Sequence, residues 1–329
     1  MNILIVGNGK IPVSLYGGTE RVIWYLGKEL TKLGHRVTYL VNAGSFCDFA
    51  KVIIKDDNRP IAQQIPKDVD VIHFNYTPKG LKDLTIPYIV TMHGNANHQK
   101  ELDKNTVFVS KNHAERYGSK SYVYNGLDWE DYSIPNLKQK REYFHFLANA
   151  AWRVKNVKGA IEVIKASKTE RLKVLGGVRF NLKMGIRLTF SPKISFAGMV
   201  GGKQKDQLIN RSKGLIFPVL WHEPFGLAII ESLYFGCPIF ATPYGSLPEL
   251  INQDVGFLSN KKQELTQAIK QSESFSKKRC NEYAQDEFNS KKMALHYLEK
   301  YEIVLNNANL NSNAPKLKQI QTEKFLEWK

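Results

Sequence analysis

Three scarcities narrow the class of this 329-residue chain. Cysteine is the first: Cys47, Cys237 and Cys280 are scattered, odd in number and without metal-ligand spacing. That excludes a disulfide scaffold and a zinc module, and it reads as free thiols in a reducing compartment. Long apolar runs are the second, since no stretch reaches the roughly 18 residues of a membrane span. The opening MNILIVG enters a strand-like run with no basic leader, so no signal peptide is expected and the expected location is the cytoplasm. Acid is the third: 31 Asp and Glu stand against 47 Lys and Arg, a net charge of +16. Such an excess fits a nucleic acid, an anionic membrane surface or a phosphate-bearing substrate. No zinc-finger, basic-zipper or RNA-binding aromatic motif accompanies it, so no nucleic acid partner is expected. Peripheral contact with the inner face of an anionic membrane accounts for the charge, and so does a basic surface kept for solubility.

What the chain does have is length for two domains and an apolar fraction of 43%, enough for real cores. Strand-like runs at 2–6, 36–41, 51–54, 70–74, 87–91 and 106–109 alternate with helix-permissive segments. This alternation predicts α/β structure, a parallel sheet wrapped by helices. The polar, aperiodic stretch DWEDYSIPNLKQKRE then marks a boundary, with a linker over 131–143. The second half restarts with YFHFLANA, RLKVLG, KISFAG and GLIFPVL, again strand-like runs, with a helix from about 203 to 211. The predicted division is 1–130, a linker, 144–300, and a C-terminal segment 301–329 after the Asn-rich LNNANLNSNAP. Leu317, Ile320, Phe325 and Trp328 make that segment amphipathic. It suits either packing against the first domain, the preferred reading, or a membrane interface.

The densest stretch runs from Trp221 to Leu250, WHEPFGLAIIESLYFGCPIFATPYGSLPEL. Pro224 suits a first helical turn with Glu223 near the N-cap. Gly236 ends the helix, and PIFAT is a short buried strand. The backbone N–H groups of Phe225, Gly226 and Leu227 at the helix start favour an anion such as a diphosphate. Glu223 and Glu231 lie about two turns apart, and a carboxylate accepts vicinal hydroxyls well, so the pair suits a nucleotide sugar. Either Glu alone is explained by a cap or a solvated helix position. Arg153 stands past the strand YFHFLANA with Lys158 five residues on, at a helix start, where two cations can hold a diphosphate. In the first half, Gly17 and Gly18 precede a helix carrying Val22, Ile23, Leu26 and Leu30 on one face, and can bring its start close to a phosphate or sugar. His93 follows the strand PYIVTM, where a neutral imidazole can bond a sugar hydroxyl. His73, inside DVIHF, reads as a packing residue. A dinucleotide site is rejected, because Pro12 stands where GNG would need its third Gly and no acid ends the second strand. Asp68 and Asp70 form an Asp-x-Asp that leads into a strand as turn chemistry, and no metal is expected.

Glu223 and Glu231 separated by PFGLAII, then GCPIFAT and GSLPEL, resemble the Glu-x(7)-Glu region of retaining, nucleotide-sugar-dependent glycosyltransferases of family 4. The resemblance implies the GT-B fold, two Rossmann-like parallel-sheet domains facing a central cleft. It implies a nucleoside-diphosphate sugar as donor, UDP-linked more readily than GDP-linked, and a glycan, lipid-linked or other hydroxyl acceptor, with no cofactor or metal essential. Within that family Arg153 and Lys158 would neutralise the leaving diphosphate, Glu231 would hold the ribose and Glu223 the transferred sugar. His93 and the Gly17-Gly18 loop would lie by the donor sugar and the acceptor. Two departures stand out: Ser246 replaces a common second Gly, and Trp152 replaces a common Gly before the Arg. Rival readings are a non-catalytic sugar-nucleotide-binding protein and an epimerase or phosphorylase of the same architecture. A nucleic-acid binder rests on charge alone.

Overall fold

Short apolar runs alternating with amphipathic ones become, in a computed structural model of the chain, two six-stranded parallel sheets. The described residues are 1–13, 17–182, 184 and 186–329. They divide into two compact units, the first formed by Met1–Val13, Gly17–Asp128 and Phe288–Gln321, the second by Trp129–Glu287 and Thr322–Lys329.

In the first unit the strands are β1 (Asn2–Val6), β2 (Arg36–Val41), β3 (Lys51–Ile54), β4 (Val71–Phe74), β5 (Tyr88–Met92) and β6 (Thr106–Phe108). They lie in the order β3-β2-β1-β4-β5-β6, each neighbouring pair parallel. Being buried on both faces, the central strands are continuous in apolar residues: Leu4, Val6, Ile72 and Phe74 share one core cluster with Leu40 and Val90. Helix α1 (Gly18–Lys32) buries the stripe Val22, Ile23, Leu26 and Leu30. Helix α2 (Lys111–Arg116) is capped by Ser110, whose hydroxyl accepts the His113 N–H. Asp70 and Asp68 serve the sheet's lower edge: the Asp70 carboxylate accepts the Asn2 N–H at 2.6 Å, and Asp68 lies 3.5 Å from Arg36.

The second unit holds β7 (Tyr143–Leu147), β8 (Leu172–Leu175), a two-residue hairpin pair β9 (Phe180–Asn181) and β10 (Arg187–Leu188), then β11 (Ile194–Phe196), β12 (Ser212–Phe217), β13 (Ile239–Ala241) and β14 (Gly256–Leu258). Its sheet runs β11-β8-β7-β12-β13-β14. Among the described residues its α-helices are α3 (Val157–Ala166), α4 (Gly202–Asn210), α5 (Leu227–Tyr234), α6 (Leu247–Leu250), α7 (Lys262–Ala268) and α8 (Lys277–Glu287). Residues 131–143, read as a linker, lie along α4: Ser133 N–H reaches Asp206, Asn136 N–H reaches Asn210, and Glu142 N–H reaches the Arg211 carbonyl. Both sheets therefore carry the doubly wound order, with the direction of winding reversing between β1 and β4 and between β7 and β12. Crevices at such reversal points, beyond the carboxyl ends of the strands, are where ligands bind in this architecture.

The chain then returns to the first unit. Asn289 caps helix α9 (Ser290–Leu305), whose Tyr301 hydroxyl lies 2.8 Å from His73 Nδ1. Thr91 Oγ1 meets His73 Nε2 at 2.7 Å and the Tyr297 hydroxyl at 3.1 Å. His73 is thus a packing residue, fully buried. The segment after α9 stays on this unit as far as Gln321, with Leu317 buried. The last eight residues join the second unit: Leu326 N–H donates to the Leu220 carbonyl at 2.8 Å and Trp328 Nε1 to Glu162 at 3.1 Å. The four apolar residues read as one amphipathic face are therefore shared between units, Leu317 and Ile320 in the first, Phe325 and Trp328 in the second.

His145 on β7 repeats the arrangement of His73, with Nδ1 2.7 Å from Ser212 Oγ and Nε2 2.9 Å from Ser232 Oγ. Burial pushes both rings down to about 3. In the unfolded chain they protonate near pH 6.5, so the unfolded state binds more protons as pH falls from there towards 3, and stability is lost through that window. At about pH 5 the loss is about 2 kcal/mol per ring. Thermal melts are expected to fall between pH 7 and about pH 5, and less steeply in His145→Gln. Equal pH dependence in variant and parent would refute this account of His145.

Candidate functional site

The reversal point of the second sheet gathers two loops, the one after β7 and the one after β12. They are tied by backbone geometry. Arg153–Lys155 form one 3-10 turn, and Asn156 follows with a left-handed φ of 55°, a conformation Asn tolerates better than most residues. The Asn156 side chain accepts the Gly159 N–H at 2.9 Å, capping α3, and donates to the Pro218 carbonyl at 2.9 Å. Leu220 N–H reaches the Val154 carbonyl at 2.7 Å.

Between these loops lies a buried ion pair. Lys155 Nζ donates to both oxygens of Glu223, at 2.8 and 2.6 Å, with the two residues only 8% and 6% exposed. Trp221 Nε1 donates to Glu223 Oε2 at 2.8 Å, and the ammonium lies 4.9 Å from the Trp221 ring centroid. Burying charges is costly unless they are paired and hydrogen-bonded, and this pair satisfies both conditions.

Glu223 does not cap a helix. α5 begins at Leu227, and its N-cap is Gly226, left-handed at φ 96°. The expected start at Pro224 is displaced because the backbone around Glu223 is taken by the loop GSLPEL. Gly245 bridges Glu223, and a Cβ on it would sit 2.3 Å from the Glu223 N and O atoms. Ser246 N–H donates to the Glu223 carbonyl at 2.9 Å and its hydroxyl to the Phe225 carbonyl at 2.7 Å. Ser246 is thus a clamp on this loop. Phe225 is buried, whereas Gly226, Leu227 and Ala228 at the helix start are half-buried. The first N–H groups of a helix have no intrahelical acceptor, and the dipole makes that end attractive to an anion.

Glu231, on α5, is buried in a second ion pair. Lys205 from α4 and the Tyr132 hydroxyl both donate to its Oε1, the latter at 2.9 Å. Next to Lys205, burial raises the Asp206 carboxyl above its ordinary value, while its Oδ2 accepts the Ser133 N–H.

The structure places the remaining sequence-predicted residues as follows. Arg153 is exposed on the same turn as Lys155, its guanidinium 4.9 Å from the Phe325 ring centroid. Lys158 is exposed on the first turn of α3. In the first unit, Gly17 is the N-cap of α1 and Gly18 its first residue. His93, half-buried beyond β5, meets Asn75 at the end of β4: Nε2 lies 2.8 Å from Asn75 Oδ1, while the Asn75 amide donates to the Val6 carbonyl at 3.2 Å. Burial lowers its pKa to about 4, so the ring is neutral at neutral pH, with the proton on Nε2 if the Asn75 oxygen is to be satisfied. Within the second unit, Glu223, Arg153, Gly226 and Leu227 are brought to the reversal point, while Glu231 sits in its own cluster about one turn along α5.

Nothing in the sequence around Lys155 and Lys205 marks them as the partners of the two carboxylates. A lysine in VKNVKG carries no mark of burial, and the spacing from Arg153 draws attention to Lys158. The one available signal was that two carboxylates on largely apolar elements require cations. Among the described residues no cluster of three His, Cys, Asp or Glu is placed to hold a metal ion.

Residues 128–287 match the family model described as glycosyl transferases group 1. No match was found among curated protein sequences. Among solved structures, AviGT4, a glycosyltransferase involved in avilamycin A biosynthesis, is similar with a TM-score of 0.75 at 18% identity, over 93% of this chain and 98% of its own. Sucrose-phosphate synthase from Thermosynechococcus elongatus gives 0.71 at 16% identity, over 93% and 100%. Anabaena HepE, in complex with UDP and glucose, gives 0.65 at 17% identity, over 91% and 99%. These likenesses establish the fold as GT-B.

Proposed function

We propose that this chain, whose second unit matches the glycosyl transferases group 1 model, is a retaining glycosyltransferase of family 4. It moves a hexose-type sugar from a nucleoside-diphosphate sugar to a hydroxyl of a glycan or lipid-linked acceptor, in the synthesis of a surface polysaccharide or glycoconjugate. The observation that carries this reading is the buried Lys155–Glu223 pair, set at the reversal point of the donor-side sheet just before the N-terminus of α5. UDP is the preferred nucleotide of the donor, in keeping with the UDP bound by HepE.

In this reading the diphosphate rests at Gly226 and Leu227 with Arg153 and Lys158 as counter-charges. Glu223 takes hydroxyls of the transferred sugar, and Lys155 with Trp221 fixes its orientation. Glu231 takes the ribose. The bond from C1 to the leaving phosphate oxygen breaks as the acceptor oxygen bonds C1 on the same face, and the departing diphosphate takes the acceptor proton. Negative charge grows on that diphosphate in the transition state, so preorganised cations and amides are the largest contribution to rate. Neutral His93 and the Gly17-Gly18 helix start serve the acceptor side.

A thermal-shift panel of UDP, GDP, ADP and TDP tests the proposal. A ligand at about 100 times its dissociation constant adds about 2.7 kcal/mol, so UDP is expected to raise the midpoint by several degrees and the others by less. No shift with any of the four would remove the nucleotide-sugar reading.

A further inference from the structure

We propose that the hairpin around β9 and β10 inserts its apolar face into the surface of an anionic lipid bilayer. Phe180, Leu182, Met184, Ile186, Leu188 and Phe190 recur at every second position, the spacing of one face of a β-ribbon. All are more than half exposed, with Leu182 at 74%, Ile186 at 70% and Phe190 at 75%. Leu188 pairs across from Phe180, whose ring centroid lies 5.6 Å from that of Phe190.

Among the described residues between them, Arg187 and Thr189 are turned the other way, into the protein. Arg187 is buried, donating to the Val178 carbonyl at 2.8 Å and lying 4.8 Å from the Phe196 ring centroid. Arg179 donates to the carbonyls of Thr189 at 2.8 Å and Ile194 at 2.6 Å. Two guanidiniums thus hold the hairpin with its polar side on the protein and its apolar side outward. A slip of one residue would reverse this, and the arginines fix the register against it. A contiguous apolar face of this kind marks a contact with something apolar.

Charge selects the occupant. From Lys165 to Lys203 the chain carries nine Lys and Arg and one acid, Glu170. Lys165, Lys168, Arg171 and Lys203 are exposed. Lys193, on the returning arm, donates to the carbonyls of Ser167 and Lys168, which brings that end of α3 beside the hairpin. Apolar insertion flanked by cations is the combination that binds anionic headgroups. A second copy of the chain would instead set like charges against each other across a two-fold axis. The proposal stands apart from the sugar-transfer reading, which involves none of these residues.

The test is co-sedimentation of the full chain with phosphatidylcholine vesicles and with equimolar phosphatidylcholine and phosphatidylglycerol vesicles. Binding is expected only to the anionic vesicles, and Leu182→Ser with Ile186→Ser, which leaves charge unchanged, is expected to weaken it at least about tenfold. Circular dichroism and melting midpoint should not change, since both positions project from the body. Unweakened binding by the double variant, or no binding to anionic vesicles, overturns the proposal. A concentration-dependent dimer in sedimentation velocity that the double variant abolishes would assign the face to a second copy and also overturn it.

Discussion

Lys155→Met is expected to lower the melting midpoint by several degrees and to abolish measurable sugar transfer. Met fills much the same volume but leaves Glu223 without its ammonium, in a site where both residues are more than nine-tenths buried. Breaking a buried pair from one side costs about 3–5 kcal/mol, because the remaining charge is uncompensated. Trp221 Nε1 still donates to Glu223 Oε2, so the carboxylate stays partly held. Glu223→Gln should destabilise in the same way from the other side. Combining the two substitutions removes both charges, and an apolar or neutral replacement of a buried pair is often close to neutral. The double variant is therefore expected to recover most of the stability and none of the activity, since the carboxylate proposed to take sugar hydroxyls is gone. Additive loss of stability in the double variant, measured as a thermal double-mutant cycle, would show that the two groups are not coupled.

Arg153→Ala carries the second large effect, on turnover without a matching effect on the fold. The side chain is exposed, and its recorded contact is a ring face on Phe325, worth at most about 1 kcal/mol at such a site. If the guanidinium meets the leaving diphosphate, its loss removes a preorganised charge from the transition state, a deficit of about 10²–10³ in turnover. Lys158→Ala should resemble it with a smaller deficit, because Lys is a point charge without the planar fork that matches a phosphate. Rates with a saturating donor, compared with unchanged melting midpoints, separate chemistry from stability. Turnover within threefold (roughly 0.6 kcal/mol) of the parent would take Arg153 out of the site.

The strands of both sheets, apart from the edge strand β14, were legible because burial on two faces writes itself as short β-branched and apolar runs. NILIV coincides with β1, and HRVTYLV and DVIHF each begin one residue before the observed strand. The helix stop at Gly236 was legible for a local reason, its left-handed φ of 72°. The start of α5 was not, because it depends on Gly245 and Ser246, some twenty residues downstream, holding the Glu223 backbone in a bridge. The partners of the two carboxylates escaped for a related reason: Lys155 and Lys205 look like any surface lysine until the fold closes over them. The hairpin was hidden by its own pattern, since alternation predicts which residues share a face and not which face meets water.

Among the described residues, the chain passes from one unit to the other at 128/129, 287/288 and 321/322. Chimeras between relatives must respect all three junctions. A graft of 129–287 alone, one residue short of the 128–287 span of the family match, would lose Leu326 from Leu220 and Phe325 from Arg153, stripping the loops after β7 and β12 of that support. The complementary piece 1–128 would lose Tyr301 from His73 and lay open the face of β4 and β5 that α9 covers. Recombination within this architecture is thus expected to succeed only when the C-terminal tail travels in its two proper parts, 288–321 with one half and 322–329 with the other.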